Sequence, residues 1–447
     1  MIVVIGLGRE TRELLGVLDR TQPGSEVLLL DERHPRADEL PACPNLGLRL
    51  RGGIDLDVAG AVPAEATAVY RSPGVSPYRA AVARAVASGV PVTTPTGFWA
   101  AGRDNDDVVA ITGTKGKSTT AALTAHLLTA AGRSVSLRGN IGRSALAADD
   151  AEPAADDIVL ELSSYQLVDL DAPLGLGAIT TLLRDHVPWH GSIERYHADK
   201  LRLLVLSERT VVTPAVAAFL HGPDGPLAAG PEGPGGRDGL SVEMIDAVAA
   251  SPMRDAVRAA LARAGLIGEH LVDDAELALA LVDTRLQRPG GVGDLIGALA
   301  DFRPLPHRLT PVGEHAGIRF VDDSISTVPE SAVAAVRAYR PHGPVTVLLG
   351  GDDRGQQLAP LIELFHDPDV RAVLLPPLAD RLHAALSPVA GARIQSAKGL
   401  ADAVDLAVAG TPPGGSIILS PAAPSFSSYR DFIARGEHFT ALVERLG

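Results

Sequence analysis

The sequence predicts an α/β protein with mostly parallel sheets, and three observations carry this prediction. Short runs of β-branched and aliphatic residues alternate with longer helical stretches along the whole chain, which is the pattern of strands joined by crossover helices. Glycine-containing turns at Gly6–Gly8 and Gly113–Gly116 each follow such a run and precede a helical stretch. The length of 447 residues suits two or three domains rather than one.

Composition and charge exclude several classes of protein. Apolar residues make up 46% of the chain and charged residues 21%, which is ordinary for a globular protein. The net charge of −14 (40 basic against 54 acidic residues) disfavours nucleic acid as a partner. A single cysteine, Cys43, excludes intrachain disulfides and cysteine-based zinc sites. Because no cationic leader precedes Met1–Ile5 and no apolar run reaches about eighteen residues, we expect a cytoplasmic protein with no membrane partner. We also expect a monomer.

The first block of the chain resembles a dinucleotide-binding unit with an incomplete fingerprint. A strand over Ile2–Leu7 leads into a G-x-G turn and a helix, and a second strand over Glu26–Leu30 ends at Asp31-Glu32. The third glycine of the usual fingerprint is missing, so the pattern favours a nucleotide-linked substrate over NAD. We therefore predict a Rossmann-like domain over residues 1–96. Its candidate substrate contacts are Gly8, Arg9, Asp31, Glu32 and Ser72, the last at the end of a predicted strand, Ala68–Ser72.

The second block begins after a predicted linker, Thr94–Gly97, and contains the most informative motif. Four apolar residues, Val108–Ile111, predict a buried strand, and an Ala/Leu-rich helical stretch follows the turn. Strand, glycine-rich turn and helix form the context of a phosphate-binding loop, in which backbone N–H groups and the helix N-terminus face a polyphosphate. We predict an ATP site here, with Lys117 near the terminal phosphates and a hydroxyl on Mg²⁺. The candidate ATP-binding residues are Gly113, Thr114, Lys115, Gly116, Lys117, Ser118 and Thr119.

Three further residues of this block are candidates for chemistry, each with an alternative. Glu161 ends an apolar strand, Ile158–Leu162, where a carboxylate suits a Mg²⁺ ligand or simply faces water. His186, beside Asp185, suits a metal ligand or a base, although a structural histidine is the alternative. Taken alone, Lys200 is a solvated helix lysine.

The remainder of the chain continues the alternation. The Pro/Gly-rich segment Gly222–Gly239 predicts a surface loop, and a helical region over Ile245–Leu286 closes a central P-loop domain, residues 97–304. A third, Rossmann-like α/β domain is predicted over residues 305–447. Its predicted strands are Ile318–Val321, Val345–Leu349, Val370–Leu374 and Ile417–Leu419, and its last predicted helix is Ser428–Leu446.

Taken together, these motifs resemble the Mur ligases, and among them the ligases that add glutamate. The resemblance spans almost the whole chain in family order. It is carried by ITGTKGKST, GNIG, LELSSYQL, DHVPWHG…YHADK, LPHRL, DDSISTV, LLGGDDR and LSPAAPSFSSYRDFIARGEHF. It implies three domains: one that binds a UDP substrate, an ATPase domain, and a third that closes over ATP and brings the amino acid.

The resemblance also implies an activity and a set of site residues. The implied reaction joins glutamate to UDP-N-acetylmuramoyl-L-alanine through an acyl phosphate, with ATP as co-substrate and Mg²⁺ as cofactor. Metal ligands would be Ser118, Glu161, His186 and a carbamylated Lys200, and catalytic residues would be Lys117, His186 and Lys200. Asn140 would contact substrate, and His307, Arg308 and Asp323 the nucleotide. Thr327, Arg354, Ser425 and Phe426 would surround the incoming amino acid.

Departures from the family pattern bear on the glutamate isomer. Lys115 stands where the family usually has asparagine, and His270–Asp274 does not match the usual HN-x-x-N near adenine. Ile325 and Arg354 replace two lysines where D-glutamate-adding ligases hold carboxylates. Losing one ammonium and exchanging another for a planar guanidinium should change carboxylate geometry. We therefore favour L-glutamate over D-glutamate.

Two other functions remain open from the sequence. Another amide ligase of the superfamily, such as a folylpolyglutamate type, would share the phosphate loop but should lack LELSSYQL and SPAAPSFSSY. A non-catalytic nucleotide-binding regulator would explain the altered adenine motif and Ile325. Retention of Lys117, Glu161, His186 and Lys200 argues against that regulator.

Overall fold

The protein, analysed as a computed structural model, is described for residues 1–147, 155–222, 225–226, 241–244, 252–288 and 291–446. The strands are β1 Ile2–Ile5, β2 Glu26–Leu30, β3 Gly47–Arg51, β4 Ala68–Arg71, β5 Val92–Thr93, β6 Val108–Thr112, β7 Val135–Gly139, β8 Asp157–Glu161, β9 Leu174–Ile179, β10 Ser207–Val212, β11 Ser241–Met244, β12 Thr310–His315, β13 Ile318–Asp322, β14 Val345–Gly350, β15 Val370–Leu375, β16 Ile394–Ser396 and β17 Ser416–Leu419.

Helices alternate with these strands, as the fold class requires. Their bounds are α1 Arg9–Thr21, α2 Ala80–Ala87, α3 Pro95–Ala101, α4 Lys117–Ala130, α5 Ser164–Leu167, α6 Val187–His190, α7 Ile193–Leu206, α8 Pro214–His221, α9 Pro252–Arg263, α10 Glu269–Leu286, α11 Pro329–Tyr339, α12 Ala359–Leu364, α13 Ala379–Ala390, α14 Leu400–Gly410 and α15 Phe432–Glu444. Within the described residues we find no helix with the length and apolar character needed to cross a membrane.

The strands form three sheets, which confirms the predicted α/β class with mostly parallel sheets. Their strand orders are β3-β2-β1-β4-β5, β11-β10-β9-β6-β8-β7 and β12-β13-β17-β14-β15-β16. Every adjacent strand pair is parallel except β12 with β13. Parallel strands have their carboxyl ends at one edge of the sheet, where α/β proteins place their ligands.

The chain forms two compact units. One consists of Met1–Met253 with Asp274–Leu295 and holds the first two sheets. The other consists of Arg254–Asp273 with Ile296–Gly447 and holds the third sheet. The division into three domains at residues 96 and 304 stays a prediction.

Burial explains which strands the sequence revealed. Every residue of β6 and β8 is buried, because both strands lie inside the second sheet, each between two other strands. The edge strand β3 has no buried residue, and no strand was predicted there. Its Gly-Leu-Arg-Leu-Arg sequence carries too little apolar character to signal a strand by itself.

Three local predictions differ from the structure. The predicted linker Thr94–Gly97 begins helix α3, with Pro95 at the first helical position and the Thr94 hydroxyl accepting from Gly97 N. The last helix begins at Phe432 rather than Ser428, because the Asp431 carboxylate accepts from Ala434 N and caps it there. The helical region Ile245–Leu286 contains two helices, α9 and α10, with residues 245–251 outside the described part. Most of Gly222–Gly239 also lies outside it.

Candidate active site

The loop predicted to bind phosphate lies between strand β6 and helix α4. Gly113 and Gly116 have φ of 146° and 87°, values that side chains other than glycine rarely adopt. A Cβ at Gly113 would collide with the Thr180 hydroxyl, and one at Gly116 with the Asp274 carboxylate. Both positions therefore need glycine for space as well as for conformation.

The segment after β9 holds this loop in place. Thr114 N donates to Thr181 O at 2.7 Å, and Lys115 N donates to the Thr181 hydroxyl at 2.8 Å. The Thr114 hydroxyl accepts from Tyr196 Oη and from Leu183 N, each at 2.9 Å. These protein contacts hold the loop conformation, which lowers the cost of ordering it around a ligand.

Three of the four lysines in the chain converge on this loop. Lys117 Nζ donates to Thr114 O at 3.1 Å, and Lys200 Nζ donates to Gly113 O at 2.7 Å. Lys115 Nζ lies 3.3 Å from Asp185 Oδ2. Lys200 is only 2% exposed, so the alternative of a solvated helix lysine is wrong. Burial, with the Lys117 ammonium adding to it, holds the pKa of Lys200 well below its ordinary value.

Glu161 ends β8 directly beside the loop strand, opposite Ile111 of β6. The residue is 1% exposed, so the alternative of a carboxylate left in water is wrong. Its Oε1 accepts from Asn140 Nδ2 at 2.9 Å, and its Oε2 has no hydrogen-bond partner in the described part of the chain. A buried carboxylate oxygen without a partner is costly unless a cation satisfies it.

These residues fit a magnesium ion. No group of three or more His, Cys, Asp or Glu side chains in the described part is placed to hold a metal. Mg²⁺ does not need such a cage, since it is usually bound by one or two carboxylates together with water and phosphate oxygens. The partnerless oxygen of Glu161 and the Ser118 hydroxyl at the start of α4 suit that arrangement.

His186 lies at the start of α6 with a φ of 50°. Its Nδ1 is 2.8 Å from Tyr165 Oη, and its Nε2 is 3.8 Å from Asp185 Oδ2. Removal from water lowers the pKa of His186 to about 4, although the Asp185 carboxylate acts in the opposite direction. The imidazole is therefore neutral near pH 7, which is the form that binds a metal.

A chain of buried polar groups, which the sequence analysis did not single out, lies behind this site. Ser164 Oγ is 3.0 Å from His190 Nε2, and His190 Nδ1 is 2.6 Å from Asp199 Oδ2. Tyr78 Oη donates to both Asp199 oxygens at 2.8 Å. Tyr78 lies between β4 of the first sheet and α2, and Asp199 immediately precedes Lys200 on α7. The segment YHADK contains one member of this group, Asp199, whose partner Tyr78 is 121 residues away.

The predicted substrate residues near the first sheet fall into two groups. Arg9 donates to Gly139 O and Gly142 O at 3.2 Å, which places it at the turn that carries Asn140. Gly8 lies against Ser72, whose hydroxyl a Cβ at Gly8 would crowd. Asp31 and Glu32 instead follow β2. Asp31 accepts from Leu7 N at 2.7 Å and pairs with Arg33 at 3.2 Å, whereas Glu32 pairs with Arg79 at 2.7 Å.

In the second unit, the residues predicted to contact the nucleotide lie near the end of strand β13. His307 Nδ1 is 2.6 Å from Asp322 Oδ2. Asp323 accepts from the Ser420 hydroxyl at 2.6 Å, and burial raises its pKa to about 7. Arg308 precedes Leu309, which has a φ of 48°. These residues adjoin β17 through Ser420, so the third sheet also gathers polar groups at its carboxyl edge.

The residues predicted to surround the incoming amino acid lie on neighbouring turns of the same unit. The Arg354 guanidinium lies 5.7 Å from the centre of the Phe426 ring, and Asp352 accepts from Ser427 N at 3.1 Å. Ser425 is 3% exposed, whereas Phe426 is 65% exposed. Thr327 is half-buried, just before α11.

Two models of known protein families match the chain, one within each compact unit. Residues 111–217 match the model of the Mur ligase middle domain, and residues 307–423 match the model of the Mur ligase glutamate ligase domain. A UDP-N-acetylmuramoyl-L-alanine–L-glutamate ligase of Xanthomonas euvesicatoria is 34% identical, with 99% of this chain and 94% of the relative covered. A relative of the same name from a Micromonospora species is 36% identical, with 85% and 83% covered.

Solved structures show the same fold at low sequence identity. A UDP-N-acetylmuramate-alanine ligase from Thermotoga maritima has a TM-score of 0.57 at 14% identity, with 100% of this chain and 99% of that chain covered. A MurF ligase from Thermotoga maritima in complex with ADP has a TM-score of 0.57 at 14% identity, with 95% and 97% covered. These structures are similar to this chain in fold.

Proposed function

This chain belongs to the Mur ligase family, and we propose that it joins L-glutamate to UDP-N-acetylmuramoyl-L-alanine with hydrolysis of ATP to ADP and phosphate. As a family member it is an ATP-dependent ligase that forms an amide bond. The product would be a precursor of peptidoglycan. Since ATP and UDP-N-acetylmuramoyl-L-alanine are both nucleotides, we propose the cytoplasm as the compartment.

One observation carries the proposal: a fixed phosphate loop lies beside a buried carboxylate that lacks a partner. The loop is held by Thr181, and Glu161 Oε2 is buried without a hydrogen bond in the described part of the chain. The loop follows strand β6 and Glu161 ends strand β8, and these two strands are adjacent and parallel. This combination suits a nucleotide triphosphate and a divalent cation.

The proposed reaction has two steps. A carboxylate oxygen of the alanyl group attacks the γ-phosphorus of ATP, the bond to the β,γ-bridging oxygen breaks, and ADP leaves with that electron pair. The glutamate amine then attacks the acyl carbon and loses a proton, and inorganic phosphate leaves. The first step brings two anions together, and the ammonium groups of Lys117 and Lys115 offset their repulsion.

The metal and its ligands are part of the proposal. Mg²⁺, when bound, would supply positive charge at the phosphate oxygens. We propose Glu161, Ser118 and His186 as its ligands, with a carbamylated Lys200 as a further one. Because Lys200 is buried with a lowered pKa, a larger fraction of its amine is neutral and able to react with CO₂, and a carbamate would place a negative charge next to Gly113.

The assignment of L-glutamate rests on the names of two relatives and on two residues of the second unit. The relatives at 34% and 36% identity are named as L-glutamate ligases. Ile325 offers no charge to a carboxylate, and Arg354 offers two parallel donors on a planar group. The two isomers place the amine differently when both carboxylates are held, and the amine must reach the acyl carbon in a reactive geometry.

A product assay tests the function and the isomer together. The enzyme is incubated with UDP-N-acetylmuramoyl-L-alanine, ATP, Mg²⁺ and either glutamate isomer, and phosphate release and product mass are measured. We expect ligation with a higher kcat/KM for L-glutamate. Ligation of neither isomer would refute the proposed function, whereas preference for D-glutamate would refute only the isomer assignment.

A further inference from the structure

Arg435, on the first turn of α15, is a buried cation without a carboxylate partner. The residue is 2% exposed, and it forms no ion pair with any carboxylate among the described residues. Burial lowers its pKa to about 10, while the Asp322 and Asp352 carboxylates act only through space. Burying an unpaired charge is expensive, so this position should have a function that justifies the cost.

The guanidinium donates to two separate turns of the second unit. Its Nε donates to the Ser324 hydroxyl at 3.0 Å, and its Nη2 donates to Ser324 O at 2.8 Å and to Ala423 O at 3.1 Å. Ser324 follows β13 and Ala423 follows β17, which is the next strand of the sheet. One side chain therefore joins the carboxyl ends of two adjacent parallel strands.

The remaining nitrogen lies at a third turn. A Cβ placed on Gly351 would be 3.2 Å from Arg435 Nη1, so the backbone after β14 packs directly against it. The strand β14 is the other neighbour of β17. Each of the three turns carries a residue that is predicted to contact the substrate amino acid. Thr327 follows Ser324, Ser425 follows Ala423, and Arg354 follows Gly351.

We propose that Arg435 is a positioning residue for the amino-acid site: it fixes the turns that carry Thr327, Ser425 and Arg354, and thereby sets the preference between glutamate isomers. This inference rests on the proposed function, because it assigns the amino acid to these turns. A lysine could not replace it, since an ammonium on a flexible stem lacks the rigid fork that reaches both carbonyls at once.

The test compares Arg435→Lys with the unaltered enzyme. We expect the KM for L-glutamate to rise about tenfold or more, as loss of hydrogen bonds from a charged donor implies. We expect the ratio of kcat/KM for L- over D-glutamate to fall, and the KM for ATP to stay within about twofold. Ser324→Ala, which removes only one acceptor, should change the KM for glutamate in the same direction but less.

Arg393 provides a matched control in the same unit. It too forms a fork to backbone carbonyls, donating to Phe365 O, Asp367 O, Val370 O and Val389 O at 2.6–2.9 Å. These acceptors are not at the carboxyl edge of β13, β14 or β17. Arg393→Lys should therefore lower the stability without changing the KM for glutamate or the isomer ratio.

Hydrogen exchange gives a readout that does not depend on activity. In Arg435→Lys, amides of residues 322–328 and 420–427 should exchange faster than in the unaltered enzyme, and they should not do so in Arg393→Lys. An unchanged KM and isomer ratio in Arg435→Lys, or equal changes in both variants, would overturn the inference. Ligation of neither isomer by the unaltered enzyme would instead remove the proposed function, and the exchange result would still decide whether Arg435 fixes the turns.

Discussion

Arg71 should be a large single contributor to the stability of the first unit. Its side chain is fully buried, at 0% exposure, and it forms a two-pronged pair with Asp169, with Nε and Nη2 at 2.6 and 2.9 Å from the two carboxylate oxygens. It also donates to Val75 O at 2.9 Å and to Tyr165 O at 2.8 Å. The pair joins β4 of the first sheet to the segment between α5 and β9.

The size of the effect follows from what Arg71→Met leaves behind. The variant fills most of the space but leaves the Asp169 carboxylate, 15% exposed, without its cation. Removing one member of a buried ion pair costs about 3–5 kcal/mol. With a urea m value of about 3 kcal/mol per molar, the midpoint should fall by about 1–1.7 M. The double variant Arg71→Met/Asp169→Leu should recover much of this loss, because no charge then remains unpaired.

The same reasoning predicts a pH dependence. Burial raises the pKa of Asp169 above its ordinary value even with Arg71 present, and removal of the guanidinium should raise it further. A carboxyl whose pKa is raised in the folded state is stabilising below its unfolded pKa and loses that contribution as the pH rises through the folded value. The deficit of Arg71→Met should therefore be smaller at pH 5 than at pH 8.

Urea unfolding followed by tryptophan fluorescence measures both effects. Trp189 donates to Gly74 O at 3.0 Å and lies 5.6 Å from the Arg71 guanidinium, so it reports on this unit. Arg79→Met is the control, because Arg79 is 30% exposed and pairs with the exposed Glu32, a kind of pair worth about 1 kcal/mol or less. A deficit below about 1 kcal/mol for Arg71→Met at pH 8, or one that does not shrink at pH 5, would refute the reasoning.

Four further outcomes are expected. Lys117→Ala should release phosphate at least about a hundredfold more slowly, with an unchanged melting temperature. Lys398→Ala, which removes a lysine outside the loop, is its control. Normal turnover by folded Lys117→Ala would refute the assignment of the ATP site to this loop. Lys200→Ala should be nearly inactive and partly restored by formate or acetate, which full activity without them would contradict. Asp323→Asn should stabilise the protein, by about 2 kcal/mol more at pH 8.5 than at pH 5.5. Burial raises the pKa of Asp323 to about 7, so the free energy of unfolding of the unaltered protein falls as the pH rises through that value. A gain in stability that does not depend on pH would argue against this. The double variant Ile325→Lys/Arg354→Lys should narrow the ratio of kcat/KM between the glutamate isomers, and an unaltered ratio would separate these positions from specificity.

The sequence predicted those parts of the site in which the determinants are local. The strand Val108–Thr112, the two glycines of the loop and Lys117 lie within ten residues of one another, so periodicity and turn chemistry are enough to place them. Glu161 was placed correctly for the same reason, since an apolar strand that ends in a carboxylate points to the sheet edge. Edge strands such as β3 were missed because exposed residues carry little pattern.

Contacts between distant segments could not be predicted in this way. Arg71 and Asp169 are 98 residues apart, and Tyr78 and Asp199 are 121 residues apart. Taken alone, each is an ordinary charged or aromatic residue near a strand or helix end. Their partnership exists only after the two sheets have packed, and single-sequence periodicity contains no information on that packing. Arg435 belongs to the same class, because its acceptors lie 111 and 12 residues away.

Helix α7 has a thermodynamic consequence for how the affinities of two ligands are linked. Its consecutive residues Asp199 and Lys200 face different neighbours. Asp199 accepts from Tyr78, which lies between β4 and α2, and Lys200 donates to Gly113 of the loop after β6. A ligand that displaces Tyr78 therefore acts on the same helix as a ligand at Gly113. Any such coupling is reciprocal: the factor by which a ligand beside Tyr78 changes the affinity for a ligand at Gly113 must equal the factor by which the second ligand changes the affinity for the first.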